Sequence, residues 1–317
     1  MTTNPISLAD IQAARGRIAD SVIRTPLVRL NVVDAPAEIY LKLENLQPIG
    51  SFKLRGAGNA IGLATSEQLA KGVYTASAGN MAQGIAWHAR RLGIPCTVVV
   101  PDHAPETKLA AITRLGATFI KVTFDEWWQV LVTHHYEGLK GFFVHPVSDP
   151  AVIAGNGTIG LEILEDLPDV DTVLVPYGGG GLSCGIATAV RALKPATKIF
   201  AAEVETSAAF AAALKAGEAV KIDYQASFVD GIGSGSVLAD MWPVVRELLD
   251  GSLVSSLAEV AEAVRVLAER NRVIAEGAGA TPVAAALAGK ANGKVVCVVS
   301  GGNIDFEKLV KIFKREL

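Results

Sequence analysis

Residues 72–101, GVYTASAGNMAQGIAWHARRLGIPCTVVVP, contain the pattern that decides the fold. GVYTAS is a short apolar run typical of a buried strand, and NMAQGIAWHARRLG has the apolar spacing of an amphipathic helix that ends at Gly93. PCTVVVP is a second strand, which begins roughly 20 to 25 residues after the first. This order predicts a strand–helix–strand unit, in which the two strands run parallel.

The same order continues as far as residue 147. It runs through a helix at APETKLAAITRLG, a strand at ATFIKV, a helix at DEWWQVLVTHHYEG and a strand at GFFVHPV. The strands are nearly continuous apolar runs, which is typical of a parallel sheet that helices cover on both faces.

The second half of the chain repeats the pattern with different spacing. Its strands are DTVLVPY, KIFAAEV and KVVCVVS, and its helices are LSCGIATAVRALK and LAEVAEAVRVLAERNRV, the latter preceded by a capping box of Ser256 and Glu259. A further strand, EIYLKLE, lies before residue 50. We therefore predict an α/β fold with two open parallel-sheet domains: a large domain of residues 1–49 and 148–317, and a small domain of residues 50–147 inserted into it.

The composition narrows the class of protein. Half of the 317 residues are hydrophobic, 19% are charged and the net charge is −3, which predicts a large core and argues against a nucleic-acid partner. The N-terminus has no uninterrupted apolar stretch like that of a signal peptide, and no run of 18 apolar residues predicts a membrane span. Cys96, Cys184 and Cys297 are widely spaced without a metal-binding pattern. We expect a cytoplasmic protein with reduced thiols and no membrane partner.

Three polar or glycine-rich stretches each follow a predicted strand directly. They are SAGNMAQG at 77–84, GGGGLSCG at 178–185 and SGGN at 300–303. Ligands of open parallel sheets bind at the carboxyl ends of the strands, so we expect these stretches to line one crevice.

The four consecutive glycines indicate a phosphate site. Without Cβ atoms, Gly178, Gly179, Gly180 and Gly181 let backbone N–H groups surround an anion at the positive end of the following helix. The motifs of ATP and NAD sites are missing from this stretch. Lys53, which lies in GSFKLRGAGNA at 50–60, supplies an amine. A phosphate loop combined with such an amine suggests pyridoxal phosphate, whose aldehyde needs a lysine.

Four motifs that span residues 51–303 together resemble the signature of the fold-type II pyridoxal-phosphate enzymes (the tryptophan synthase β-like fold). They are SFKLRGA, SAGNMAQG, GGGGL and SGGN. The closest resemblance is to the serine/threonine dehydratase and serine racemase family. It implies that Lys53 forms a Schiff base with the cofactor and then takes the substrate's Cα proton. It also implies several further contacts: Phe52 on the ring, Asn80 at the ring hydroxyl, Ser300 at the ring nitrogen, the four glycines at the phosphate, and Ser77, Ala78, Gly79 and Asn80 at the substrate carboxylate.

Two positions indicate which reaction this site performs. A neutral Ser300 opposite the ring nitrogen suits elimination better than a long-lived carbanion. Ala78 stands where serine racemases place a proton-donating serine. We therefore expect α,β-elimination of water from a 3-hydroxy amino acid of the L-threonine or L-serine type, giving a 2-oxo acid and ammonia. Two different functions stay open: β-replacement, although the cysteine synthase patterns SxKDR and TSGNTG differ from this sequence, and non-catalytic binding of pyridoxal phosphate or a metabolite.

Several positions depart from the family or stay open. Met81 replaces a histidine, which raises the hypothesis of an apolar pocket for a β-aryl substrate such as L-threo-phenylserine. Ser234 and Ser236 could meet the substrate hydroxyl. Glu203 matches a carboxylate that binds a cation in some relatives, but the expected second carboxylate is Ala209, so no metal is predicted. Glu276 resembles a family residue close to the ring.

The resemblance also implies a homodimer with a small-molecule amino acid as its partner. Because the chain ends shortly after Asn303, no C-terminal regulatory domain is expected.

Overall fold

The computed structural model describes residues 5–316. The strands in this range are β1 (Leu27–Arg29), β2 (Glu38–Lys42), β3 (Val73–Ala76), β4 (Cys96–Pro101), β5 (Thr118–Val122), β6 (Phe142–Phe143), β7 (Thr172–Pro176), β8 (Lys198–Val204), β9 (Gly251–Ser255) and β10 (Lys294–Val298). The helices are α1 (Leu8–Ile18), α2 (Lys53–Leu63), α3 (Ser66–Ala70), α4 (Asn80–Leu92), α5 (Glu106–Arg114), α6 (Phe124–Thr133), α7 (Pro150–Asp166), α8 (Gly181–Leu193), α9 (Ala209–Ala216), α10 (Trp242–Leu248), α11 (Leu257–Val266), α12 (Gly277–Leu287) and α13 (Phe306–Lys314). Short 3₁₀ turns lie at Glu44–Leu46 and Asp230–Ile232, and a π-helical turn follows α11 at Leu267–Asn271.

The strands form two sheets. The larger has the order β1-β2-β10-β7-β8-β9, in which only the β1–β2 pair is antiparallel. The smaller has the order β5-β4-β3-β6 and is parallel throughout. The predicted pair of open parallel sheets is therefore confirmed. The larger sheet takes strands from both sides of the smaller one in sequence, and the domain boundaries at 49/50 and 147/148 stay a prediction.

Helices cover both faces of the larger sheet, as the apolar strands predicted. Val173 and Val175 of β7 belong to the apolar cluster that contains Ile159 of α7 and Ile186 of α8. Leu174, which lies between them, belongs to the cluster on the opposite face with residues of α11 and α12. This alternation is the pleat of a strand that is buried on both sides. Cys184 and Cys297 are buried and free in these two clusters, and Cys96 is buried and free in the cluster beside the smaller sheet.

Sequence periodicity located the helices better than their ends. The capping box of Ser256 and Glu259 begins α11 as predicted. The helix predicted over 125–138 ends at Thr133, because His134 adopts a left-handed conformation with φ 57°. None of the helices in residues 5–316 is long and apolar enough to cross a bilayer.

A buried ionic network fixes α2 against the larger sheet and α7. Arg55, which is 1% exposed, donates two hydrogen bonds of 2.8 Å to Glu44 and bonds of 2.7 and 2.8 Å to Glu162. Lys42 contacts the same Glu162 at 2.6 Å. Two buried cations thus face two buried carboxylates, and the pairing offsets the cost of removing each charge from water.

Candidate active site

Lys53 begins α2 with its amine turned toward the turn that precedes α7. Its Nζ donates a hydrogen bond of 2.6 Å to the carbonyl oxygen of Pro146 and lies 5.2 Å from the centre of the Phe52 ring. Burial lowers the pKa of the Lys53 ammonium to about 8, although the attraction of Glu276 opposes the shift. A larger fraction of this amine than of an ordinary lysine is therefore uncharged near neutral pH, as a nucleophile or base requires.

The end of β10 lies directly beside this lysine. The Phe52 N–H donates to the Ser300 carbonyl at 2.9 Å, and Ser51 forms an isolated β-bridge with Gly301. Ser300 is buried and follows the last residue of β10 by two positions. It therefore lies at the carboxyl end of a parallel strand, where ligands of such sheets bind.

The glycine loop forms a close-fitting anion cradle at the start of α8. Gly180 is the N-cap with φ 93°, and no side chain caps the first-turn N–H groups. A Cβ at Gly179 would lie 2.5 Å from Cγ1 of Val147, and a Cβ at Gly181 would overlap the carbonyl oxygen of Val147. Tyr177, directly before the loop, has a buried hydroxyl without a partner in the described range. These are the features that an oxyanion at a helix N-terminus needs.

A hydrogen-bonded chain joins the start of α4 to the SGGN stretch. Asn80 Nδ2 donates to both carboxylate oxygens of Glu276, at 2.9 and 3.2 Å. Asn303 Nδ2 donates to Asn80 Oδ1 and to the Ile49 carbonyl, each at 2.8 Å. Burial raises the pKa of Glu276 to about 7, against the Asn80 hydrogen bond, which lowers it. Both ends of the Asn80 amide are therefore oriented.

The SAGN loop presents a second uncapped helix start. Ser77 Oγ accepts from the Gly79 N–H at 3.2 Å, and Gly79 is the N-cap of α4 without a side-chain capping bond. Ser77, Ala78, Gly79 and Asn80 are all half-buried. A small carboxylate would find free N–H groups here.

Met81, the predicted contact of a bulky substrate, is a buried residue of α4. Its side chain is 1% exposed and belongs to the apolar cluster with Ile85 of α4 and Val73 of β3. This burial argues against an apolar substrate pocket lined by Met81, and its contact with the substrate stays a prediction.

The serines of FVDGIGSGS make local contacts. Ser234 Oγ donates to the Ser236 carbonyl at 2.6 Å, and the Ser234 N–H donates to Ser207 Oγ at 2.8 Å. Both serines are half-buried, and their predicted meeting with a substrate hydroxyl stays a prediction.

Glu203 has a structural task that the sequence did not reveal. Its carboxylate accepts the N–H groups of Phe210 and Ala211, each at 2.8 Å, and the Ser252 hydroxyl at 2.5 Å. It therefore caps the start of α9. In residues 5–316 we find no group of three or more acidic, histidine or cysteine side chains that could hold a metal.

Sequence reasoning missed two residues beside the reactive amine. Pro146 holds the Lys53 amine, and His145 accepts hydrogen bonds from the same turn. Both lie in the stretch predicted as a strand over 141–147, which the structure ends at Phe143. A histidine–proline pair at the carboxyl end of a strand was the available signal, because that is where ligand sites form.

Contacts through Pro146, Val147 and Gly301 connect Lys53, the glycine loop, Asn80 and Ser300, so these residues lie in one region at the carboxyl ends of strands, called the site cleft below. The profile described as "Pyridoxal-phosphate dependent enzyme" matches residues 18–301. The chain thus belongs to the family of pyridoxal-phosphate dependent enzymes, and pyridoxal phosphate is its cofactor.

Several similar proteins have names that describe enzymes acting on small amino acids. An L-threonine ammonia-lyase of Thermotoga maritima is 41% identical, over 98% of this chain and 79% of the relative. A solved maize serine racemase has a TM-score of 0.90 at 33% identity and covers 98% of each chain. Threonine deaminase isoform 2 of Solanum lycopersicum has a TM-score of 0.89 at 35% identity, over 97% of this chain and 91% of that one.

The residues in the site cleft fit the cofactor. Pyridoxal phosphate needs an amine for its aldehyde, a surface for its ring, a partner for its ring nitrogen and a cradle for its phosphate. The Lys53 amine would hold the aldehyde, the Phe52 ring would lie against the cofactor ring, Ser300 would meet the ring nitrogen and the uncapped glycine loop would hold the phosphate.

Proposed function

We propose that this chain is an ammonia-lyase that converts L-threonine, and also L-serine, to a 2-oxo acid and ammonia by α,β-elimination of water. The observation that carries the proposal is the pairing of one amine, Lys53, with a methyl group at position 78 in the SAGN loop. A base is available for the Cα proton, while Ala78 has no proton to return to the opposite face. The threonine ammonia-lyase relatives support the same reaction.

When bound, pyridoxal phosphate withdraws electrons from the substrate's Cα–H bond. Lys53 Nζ takes the proton that leaves Cα, which its pKa of about 8 favours near neutral pH. The N–H groups at the start of α4 bind the substrate carboxylate and hold the Cα–H bond toward Lys53. Ser300 Oγ is the neutral group that would hold the ring nitrogen, and it adds no charge there. The substrate's β-hydroxyl leaves as water with one added proton, which balances the proton that Lys53 takes from Cα, and the released enamine hydrolyses to the 2-oxo acid and ammonia.

Racemisation is the second candidate, because solved serine racemases are similar to this chain. Ala78 argues against it, since a racemase needs an acid on the face opposite its lysine. β-Replacement and non-catalytic binding of the cofactor are weaker candidates, which the substrate panel below distinguishes from elimination. From the family resemblance we also propose that the enzyme is a cytoplasmic homodimer, which analytical ultracentrifugation and cell fractionation would test.

Turnover of a substrate panel tests the proposal. We expect equal amounts of 2-oxo acid and ammonia from L-threonine and from L-serine, no D-serine, and no product with the Lys53→Ala variant. L-threo-phenylserine should not be preferred, because Met81 is buried in the core. Bound cofactor without any 2-oxo acid would contradict the proposal in favour of a binding protein. A thiol adduct formed from L-serine and sulfide would favour β-replacement.

A further inference from the structure

His145 is a buried histidine beside the site cleft. It follows β6 and is 6% exposed. Its Nδ1 accepts the Ser148 N–H at 2.9 Å and the Val147 N–H at 3.2 Å, and lies 3.1 Å from Ser148 Oγ. A nitrogen that accepts backbone N–H groups carries no proton, so the neutral ring has its proton on Nε2.

The turn that His145 holds contacts both halves of the cofactor site. Within it, the Pro146 carbonyl accepts the Lys53 amine at 2.6 Å, and Val147 lies against Gly179 and Gly181 of the anion cradle. Pro146 has no N–H, and the two backbone donors that follow it both bind His145 Nδ1. One imidazole nitrogen therefore fixes the turn that contacts the amine and the glycine loop.

The ring is itself held in place. Its centre lies 4.8 Å from that of His134, with the planes at 33°, and 6.3 Å from that of Phe143. Burial lowers the pKa of His145 to about 4, and the charges of His134 and Lys53 act in the same direction while Asp240 opposes them. The imidazole is thus neutral, and able to accept, near neutral pH.

We propose that His145 is a positioning residue, whose Nδ1 holds the Pro146–Ser148 turn so that the Lys53 amine and the phosphate cradle keep their mutual geometry. The kinetic part of this inference rests on the proposed function, whereas the part that concerns cofactor affinity rests only on the use of pyridoxal phosphate.

His145→Asn and His145→Leu form a matched pair for the test. Asparagine and leucine have nearly the same shape, but only asparagine offers an acceptor near the position of Nδ1. We expect the leucine variant to bind pyridoxal phosphate about tenfold more weakly and to lose about tenfold in kcat, with the KM for the amino acid little changed. The asparagine variant should stay within about threefold of the wild type. Equal behaviour of the two variants would overturn the proposal.

The test still gives a result if the proposed function fails or if the variants do not fold. If the wild type lacks lyase activity, the proposed function fails, while the affinities of the two variants for the cofactor still test His145. If neither variant folds, a long-range ¹H–¹⁵N spectrum of the wild-type holoenzyme reports the tautomer directly. An unprotonated Nδ1 on His145 is expected, and a proton on Nδ1 would overturn the proposal because that nitrogen could not accept.

Discussion

Replacing Arg55 by methionine should be among the most damaging single substitutions outside the site cleft. The change removes the guanidinium that joins Glu44 to Glu162 and leaves only Lys42 as a buried cation for two buried carboxylates. Removing one partner of a buried ion pair costs about 3–5 kcal/mol, a large part of the roughly 5–15 kcal/mol that stabilises a typical domain. Because Arg55 lies two residues after Lys53, cofactor binding should weaken together with the free energy of unfolding.

Urea denaturation of the cofactor-free protein is the appropriate assay. The matched variant is the double substitution Arg55→Met, Glu44→Gln, which leaves Lys42 paired with Glu162 and should recover about half of the loss or more. Arg91→Met, which breaks the exposed contact with Asp20, is the control and should leave the midpoint almost unchanged. The reasoning is refuted if Arg55→Met unfolds at the wild-type urea concentration, or if the double variant is no more stable than the single one.

Three further outcomes follow from the geometry of the site, and one from a helix cap. Competitive labelling of the cofactor-free protein should give Lys53 a pKa of about 8. The Glu276→Gln substitution should lower this pKa, because it removes the negative charge that raises it; a higher pKa of Lys53 in the variant would contradict the reasoning. The pKa of Glu276 is raised from 4.5 to about 7, so its contribution to the free energy of unfolding is complete below pH 4.5 and is lost as the pH rises to 7. The loss amounts to up to about 3 kcal/mol. The Glu276→Gln variant should therefore show a flatter dependence of stability on pH between 4.5 and 7. Gly181→Ala should weaken pyridoxal phosphate binding at least about tenfold, measured by equilibrium dialysis, because its Cβ would overlap the Val147 carbonyl; unchanged affinity would show that the loop relaxes. Glu203→Ala should lower the free energy of unfolding, measured by urea denaturation, by about 1–2 kcal/mol because a helix cap is lost. If Mg²⁺ stabilises the wild type by a similar amount but does not stabilise the variant, Glu203 belongs to a cation site instead.

The parts of the fold that rest on local patterns could be predicted from the sequence. The strand β4 and the helix α4 were visible because their apolar residues recur at the period of the element itself. The carboxyl-end rule correctly predicted that the SAGN and SGGN stretches meet, as the Asn303–Asn80 hydrogen bond shows.

Interactions between distant residues could not be predicted in this way. Arg55 and Glu162 lie 107 positions apart, and no local pattern announces their pairing. The end of β6 depends on His145 accepting backbone N–H groups, which competes with strand pairing. The burial of Met81 could have been predicted, since its spacing of four from Ile85 puts it on the apolar face of α4.

The most direct test of the account is to find which residue binds the cofactor covalently. Protein reconstituted with pyridoxal phosphate should absorb at about 410 nm. After borohydride reduction and proteolysis, the pyridoxyl label should lie on the peptide that contains Lys53. A label on a different lysine, or no label at all, would contradict the central claim.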